Sequence, residues 1–215
     1  IDSVEAMERD ARTVDLRLSN PQPAAGDEAI TRLKVYLRGA RIVLSDVMPI
    51  FENAGLRVLS MSAFEGIDGG AGTFIYVFEV QDSNRQPLDL AARAALLTDA
   101  ILAVGAGDTA NDALNALVLA AGLSWREVGV LRAYCGYGFQ LALAPARASL
   151  TGPLRTYPAA ARLLIDIFAQ KFDPAAASDL AVRLERLAEL RLAFIESLES
   201  VTSLADDRAL RSLLA

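Results

Sequence analysis

Histidine is absent from this chain, which removes the side chain whose charge changes nearest neutral pH and the commonest metal ligand. Ser-His-Asp and Cys-His catalytic arrangements are thereby excluded. Cysteine occurs once, as Cys135. A single thiol closes no internal disulfide and builds no thiolate cage, which fits a reducing, cytoplasmic compartment, and its expected role is a small apolar filler. Lysine occurs only at Lys34 and Lys171, arginine supplying the other basic residues, so Schiff-base and general-base lysine chemistry has few candidates. Basic stripes are missing as well. A net charge of −6 and a pI near 4.8 argue against nucleic acid and anionic membranes as partners. Arg93 and Asp99 interrupt the apolar stretch from Leu90 to Val104, which leaves it short of the roughly 18 apolar residues of a membrane span. The first ten residues, IDSVEAMERD, lack the basic and apolar regions of a signal peptide. The expectation is a segment with no catalytic residues, no metal and no cofactor of its own.

What is abundant is apolar surface. Hydrophobic residues make up 53% of the chain, with a mean hydropathy of +0.30, against the roughly 45–50% usual even with glycine included. Part of that surface is expected to meet another chain or another part of a longer one. With no initiator methionine, the sequence reads as a piece of a larger protein. Its 215 residues suffice for one or two domains that bury roughly 70% of the unfolded surface.

Alternation of Val14, Leu16 and Leu18 with charged neighbours over residues 13–19 predicts a half-buried strand, stopped by Pro21 and Pro23. Leu33, Val35 and Leu37 alternate with Lys34, Tyr36 and Arg38 in a second strand ending at Gly39. A helix is expected to start near Ser45. Ser45 would be its N-cap, Asp46 would favour the positive end of its dipole, and Leu44 would pack on Pro49 or Ile50 as a staple. Gly55 would end it as a C′ residue. Leu56 to Phe64 and Thr73 to Val80 are rich in Val, Ile, Phe and Tyr and predict a hairpin around the loop GIDGGAG, residues 66–72. Beyond Pro87 the spacing of Leu90, Ala94, Leu97, Ile101 and Val104 is that of an amphipathic helix.

From Asp108 onward every period is helical, with four or five helices punctuated by Gly122, Pro145, Pro153, Pro158, Pro174 and Ser203. Ser124 and Glu127 form a capping box. Leu180, Leu184, Leu187, Phe194, Leu198 and Val201 line up down one helix, as a core stripe of a bundle or as a seam for a coiled-coil partner. The fold class is therefore α+β: a βαββα sheet domain over residues 1–105, then an all-helical bundle over 106–215.

Three motifs invite a functional reading. Gly105, Gly107 and Ala110 match the dinucleotide pattern G-x-G-x-x-A, but that site requires a strand before it, and Leu90 to Val104 has helical spacing. GIDGGAG lacks the lysine and hydroxyl ending of a phosphate loop and reads as a hairpin tip. Asp173, Asp206 and Asp207 lack EF-hand spacing and read as solvated helix ends. The turn from Arg38 to Asp46 is more informative. Gly39, Ala40 and Arg41 feed a helix start at Ser45 and Asp46, where bare N–H groups and one guanidinium could cradle the carboxylate of an amino-acid effector. The alternative is a plain connection.

Two segments carry a family resemblance. Leu44 to Val58 reads LSDVMPIFENAGLRV, and Asn111 to Val128 reads NDALNALVLAAGLSWREV, followed by LRAY at Leu131 to Tyr134. Both are similar to motifs of the large bacterial NAD-specific glutamate dehydrogenases, as are AARLL from Ala160, FAQKFDP from Phe168 and VTSLADDRALR from Val201. The resemblance spans most of residues 30–215. It implies the third ACT-like (ferredoxin-like) domain and the helical segment preceding the catalytic domain, within an oxidoreductase of amino acid metabolism that uses NAD. An ACT fold needs a fourth strand after its second helix, where this chain turns helical; the strand at 13–19 is expected to supply it. Gly105 and Gly107 fall where that family connects two helices, and residues 134–139 depart from its longer polar helix in a way that would kink it.

The expected function is a non-catalytic regulatory and oligomerisation fragment of such an enzyme. Its expected partners are the remainder of the parent chain, sister subunits of a homo-oligomer and an amino-acid effector, with no nucleic acid and no membrane. The competing readings are a free-standing ACT-like amino-acid sensor or assembly module, and a dinucleotide-binding enzyme built on Gly105 and Gly107.

Overall fold

The computed structural model describes residues 13–23, 26, 28–39, 41–65, 72–175 and 179–214. They divide into two compact units, one through Ala113 and one from Leu114.

Among the described residues, the first unit is a four-stranded antiparallel sheet with two helices. Strands β1 (Val14–Ser19) and β2 (Thr31–Arg38) precede helix α1 (Leu44–Asn53), strands β3 (Arg57–Glu65) and β4 (Thr73–Gln81), and helix α2 (Leu90–Ala106). The spatial order is β1-β2-β4-β3. The position beside β2, which an ACT-like sheet fills with a strand after its second helix, is taken by β1 from the N-terminal side. Registers of Leu16 on Val35, Val35 on Tyr76 and Phe78 on Met61 place these side chains on one face, because strand residues alternate between faces. Leu33, Phe78 and Val80 on that face are completely buried. Phe51 of α1 meets Phe78 edge to face, with ring centroids 4.9 Å apart, the arrangement that aromatic quadrupoles prefer.

A partly buried polar knot fastens β1 to the rest. Thr31 donates to Asn20 Oδ1 at 2.7 Å, Asn20 donates to the Leu88 carbonyl at 2.9 Å, and the Leu88 N–H donates back to Thr31 Oγ1 at 2.8 Å. Each partner is satisfied, so the knot joins the end of β1, the start of β2 and the entry to α2 without stranding a polar group.

Gly55 ends α1 with φ of 85°, the left-handed C′ conformation that glycine adopts without a Cβ clash. The start of α1 differs from expectation. It begins at Leu44, with Val43 extended at the N-cap and no side-chain cap bond. Ser45 lies inside the first turn, its hydroxyl 3.4 Å from Asp46 Oδ1, and Leu44 is 41% exposed, so neither the serine cap nor the Leu44 staple forms. Ile42 and Val47 occupy the N′ and N4 positions of a staple instead, and both line one apolar cleft. Tertiary burial of Phe51 sets the helix phase, which overrides the local preference of a serine.

The second unit is helical: a 3-10 turn (Ala113–Ala116), α3 (Leu117–Ala120), α4 (Trp125–Gln140), α5 (Ala148–Thr156), α6 (Pro158–Phe172), α7 (Leu180–Ser197), a second 3-10 turn (Leu198–Ser200) and α8 (Leu204–Leu214). Among the described residues these six helices exceed the four or five expected, because α3 is an additional single turn; Pro153 sits inside α5 without ending it. Residues 134–139 continue α4 to Gln140. Gly138 there is a close-packing glycine: a Cβ would stand 3.1 Å from Leu150 Cδ1.

The stripe of α7 is only partly core. Phe194 and Leu198 are buried, whereas Leu180 and Leu184 are 67% and 55% exposed; Leu190, outside the expected stripe, is buried as well. α7 pairs chiefly with α6, so its first turns extend past the covered part of the bundle.

Candidate functional site

The turn between β2 and α1 is held from below. Gly39, with φ of 75°, donates its N–H to the Gly72 carbonyl at 3.0 Å. The Ile42 N–H donates to Tyr76 Oη at 3.1 Å. Arg41 stacks over the Phe74 ring at 5.0 Å and reaches Glu65 Oε2 at 3.3 Å. Of the five residues expected to cradle an effector, Ala40 lies outside the described residues. Gly39, Arg41, Ser45 and Asp46 all stand exposed on this one turn. Asp46 occupies the N3 position, where its carboxylate complements the helix dipole. The turn therefore presents the Arg41 guanidinium, paired with the Glu65 carboxylate, and the Asp46 carboxylate beside a helix start.

Sequence reasoning missed Glu65, Phe74 and Tyr76, which grip this turn. Glu65 and Phe74 face each other across the β3–β4 hairpin, so they become visible only once the strand register is known.

Below the turn lies a cleft of about 440 Å³. Its floor is Leu16 of β1 and Val35 of β2, one wall is Val47 and Phe51 of α1, and the other is Ile101 and Leu102 of α2. Among the described residues only Thr13 brings a polar side chain to it.

Gly105 lies in the last turn of α2 and Gly107 is its left-handed cap with φ of 79°. The Gly107 N–H is turned back onto α2 carbonyls. A helix C-terminus carries partial negative charge, the opposite of what a pyrophosphate requires, so the glycine pair is a helix stop. The hairpin tip at 66–71 lies outside the described residues. Asp207 pairs with Arg211 at 2.9 Å in α8, and Asp173 accepts the Ala175 N–H at 2.8 Å.

In the helical unit Ser124 caps α4 as expected. Glu127 Oε2 accepts the Ser124 N–H at 2.7 Å, and the Glu127 N–H donates to Ser124 Oγ at 3.3 Å. Arg162 of α6 joins the box, reaching Glu127 Oε1 at 3.0 Å and Asp166 Oδ1 at 2.7 Å. Burial pushes the Glu127 carboxyl upward, but its bonds to Ser124 and the nearby Arg162 charge outweigh that and hold it below the ordinary carboxylate value. Burial likewise opposes the charge of Arg162, and Asp166 and Glu127 more than compensate. This cluster ties α4 to α6. Arg162 with Asp166 at i,i+4 was readable in the sequence, but its partnership with Glu127 was not.

Comparison with known proteins follows the same division. Residues 13–93 match the glutamate dehydrogenase ACT3 domain and residues 109–174 match glutamate dehydrogenase helical motif 3. The NAD-specific glutamate dehydrogenase of Halomonas elongata is 35% identical over 184 residues, covering 83% of this chain and 11% of that protein. Its counterpart in Pseudomonas aeruginosa is 34% identical over 203 residues, covering 93% and 12%. That of Mycobacterium tuberculosis is 29% identical over 192 residues, covering 86% and 12%. The chain thus spans about a ninth of the length of the curated relatives it matches.

Proposed function

The chain belongs to the NAD-specific glutamate dehydrogenase family, and from that premise we propose that it is a non-catalytic regulatory and oligomerisation segment of such an enzyme. The whole enzyme, in this reading, is cytoplasmic and converts L-glutamate to 2-oxoglutarate and ammonia with NAD. The observation that carries the proposal is the pair of consecutive matches, ACT3 and helical motif 3, within a stretch that makes up about a ninth of the relatives' length. The work left to such a segment is to hold sister subunits together and to bias the enzyme between states through the differential affinity of a bound effector.

The effector is an amino acid at the Gly39 to Asp46 turn. Two features support this. Arg41 and Asp46 offer charges of both signs on one exposed turn, matching the carboxylate and ammonium of a zwitterion, and the left-handed Gly39 brings backbone close to the surface. A thermal-shift titration of the chain with the common amino acids at millimolar concentration tests it. One of them should raise the Tm in a saturable manner, and Asp46→Asn should remove the rise. No rise with any amino acid ends the effector reading.

A further inference from the structure

Arg41 and Ile42, neighbours in the turn, rest on two side chains of β4 that share one face of the sheet. Arg41 lies over the Phe74 ring at 5.0 Å, and the Ile42 N–H donates to Tyr76 Oη at 3.1 Å. Residues two apart on a strand stand roughly 7 Å apart on the same face. One carboxylate that accepts a hydrogen bond on each oxygen bridges such a gap.

Tyr76 is only 7% exposed, and a phenol hydroxyl both accepts and donates. Its oxygen accepts the Ile42 N–H, but among the described residues no acceptor stands opposite its own O–H. A buried donor without a partner is costly, so this hydroxyl is suited to an acceptor that arrives from outside.

A carboxylate already stands at the other end of the gap. Glu65 Oε2 lies 3.3 Å from Arg41 Nη2, with the side chains 63% and 70% exposed. That is longer than the roughly 2.7–2.9 Å of a well-formed charge-assisted bond, and an exposed pair of this kind contributes little. Stacking on Phe74 seats the guanidinium whether or not Glu65 stays. Arg41 is therefore a positioned cation with an easily displaced partner.

We propose, on the reading of this turn as an amino-acid site, that Glu65 is a built-in competitor of the effector. The effector's carboxylate displaces Glu65 from Arg41 and takes a second hydrogen bond from the Tyr76 hydroxyl. The ligand is thereby a small free carboxylic acid bearing an amino group, and its neutral amide is excluded. Glu65 ends β3 and faces Phe74 across the hairpin, so binding also frees the base of the β3–β4 hairpin from the turn.

Calorimetric titration of the chain and its variants with the common amino acids tests this. Glu65→Gln should tighten binding of the effector about two- to fivefold, whereas loss of a merely structural carboxylate would weaken it. Tyr76→Phe should weaken binding at least about tenfold. The primary amide of the same amino acid should bind weakly and gain nothing from E65Q. Glu79→Gln, which removes a carboxylate from the opposite face of β4, should leave affinity unchanged. Amino-acid binding that E65Q leaves unchanged or weakens, or that Y76F leaves unchanged, overturns the competitor while the effector site stands. Failure of every amino acid to bind both the unaltered chain and E65Q overturns the two together.

Discussion

Ser124 and Glu127 show how few atoms hold a helix start. The box satisfies two N–H groups that would otherwise lack partners at the beginning of α4, and Arg162 extends it to α6. Ser124→Ala should lower stability by about 1 kcal/mol, read as a shift of the urea midpoint with an unchanged slope. The Glu127 carboxyl titrates below its ordinary value in the folded state, so the unfolded chain takes up its proton first as the pH falls. Its contribution to stability is accordingly full above about pH 4.5 and is lost as the pH drops through the lower folded value. Thermal melts from pH 3 to 7 should fall at the acid end, and Glu127→Gln should flatten that fall while lowering the plateau. Gly55 is a second decisive residue. Its φ of 85° is one that alanine adopts with strain, so Gly55→Ala should cost about 1 kcal/mol, seen as a lower Tm.

At the scale of elements, the strands were more legible than the helices. β1 through β4 each show period-two alternation or a β-branched and aromatic run, and they form close to where those patterns place them. The start of α1 and the outer half of α7 were misread for one reason. Both readings used the local pattern alone, whereas Leu44 and Leu184 are exposed because the neighbouring surfaces that would cover them lie elsewhere. The four or five helices expected became six among the described residues, since the single turn α3 stands as a helix of its own, while Pro153, expected as a break, is tolerated within α5. β1 is the element on which the sheet's edge depends. Leu16, 7% exposed, packs against both the sheet and the cleft, so Leu16→Ala should cost about 2–5 kcal/mol. Hydrogen exchange should then show faster exchange at β1 and β2 amides, as the knot of Thr31, Asn20 and Leu88 loosens.

For the whole molecule, membership of the glutamate dehydrogenase family rests on residues 13–93 and 109–174 together. No helix among the described residues is long and apolar enough to cross a membrane. The glycine pair at 105 and 107 is where motif reading and structure diverge most usefully, because the same spacing serves a helix stop here. Titration of NADH with the chain should leave the nicotinamide fluorescence unchanged, and saturable enhancement would restore the dinucleotide reading of Gly105 and Gly107. The effector turn was legible in part. Gly39, Arg41, Ser45 and Asp46 do share one exposed turn, yet the grip of Glu65, Phe74 and Tyr76 on that turn depends on contacts between residues up to 34 positions apart in the chain.

Composition and periodicity by themselves determined the fold class, the strand faces, the capping box at Ser124 and the helix stop at Gly55, because each follows from interactions among residues near one another in the chain. The expectation that the strand at 13–19 fills the fourth place in the sheet is met by β1, but the tertiary structure alone decided that Val43 rather than Ser45 precedes α1, that Arg162 completes the cap of α4, and that a cleft remains between α1 and α2. Each of these depends on burial and partnership between distant segments, and the free energy of such contacts exceeds the few tenths of a kcal/mol to about 1 kcal/mol by which local propensities differ.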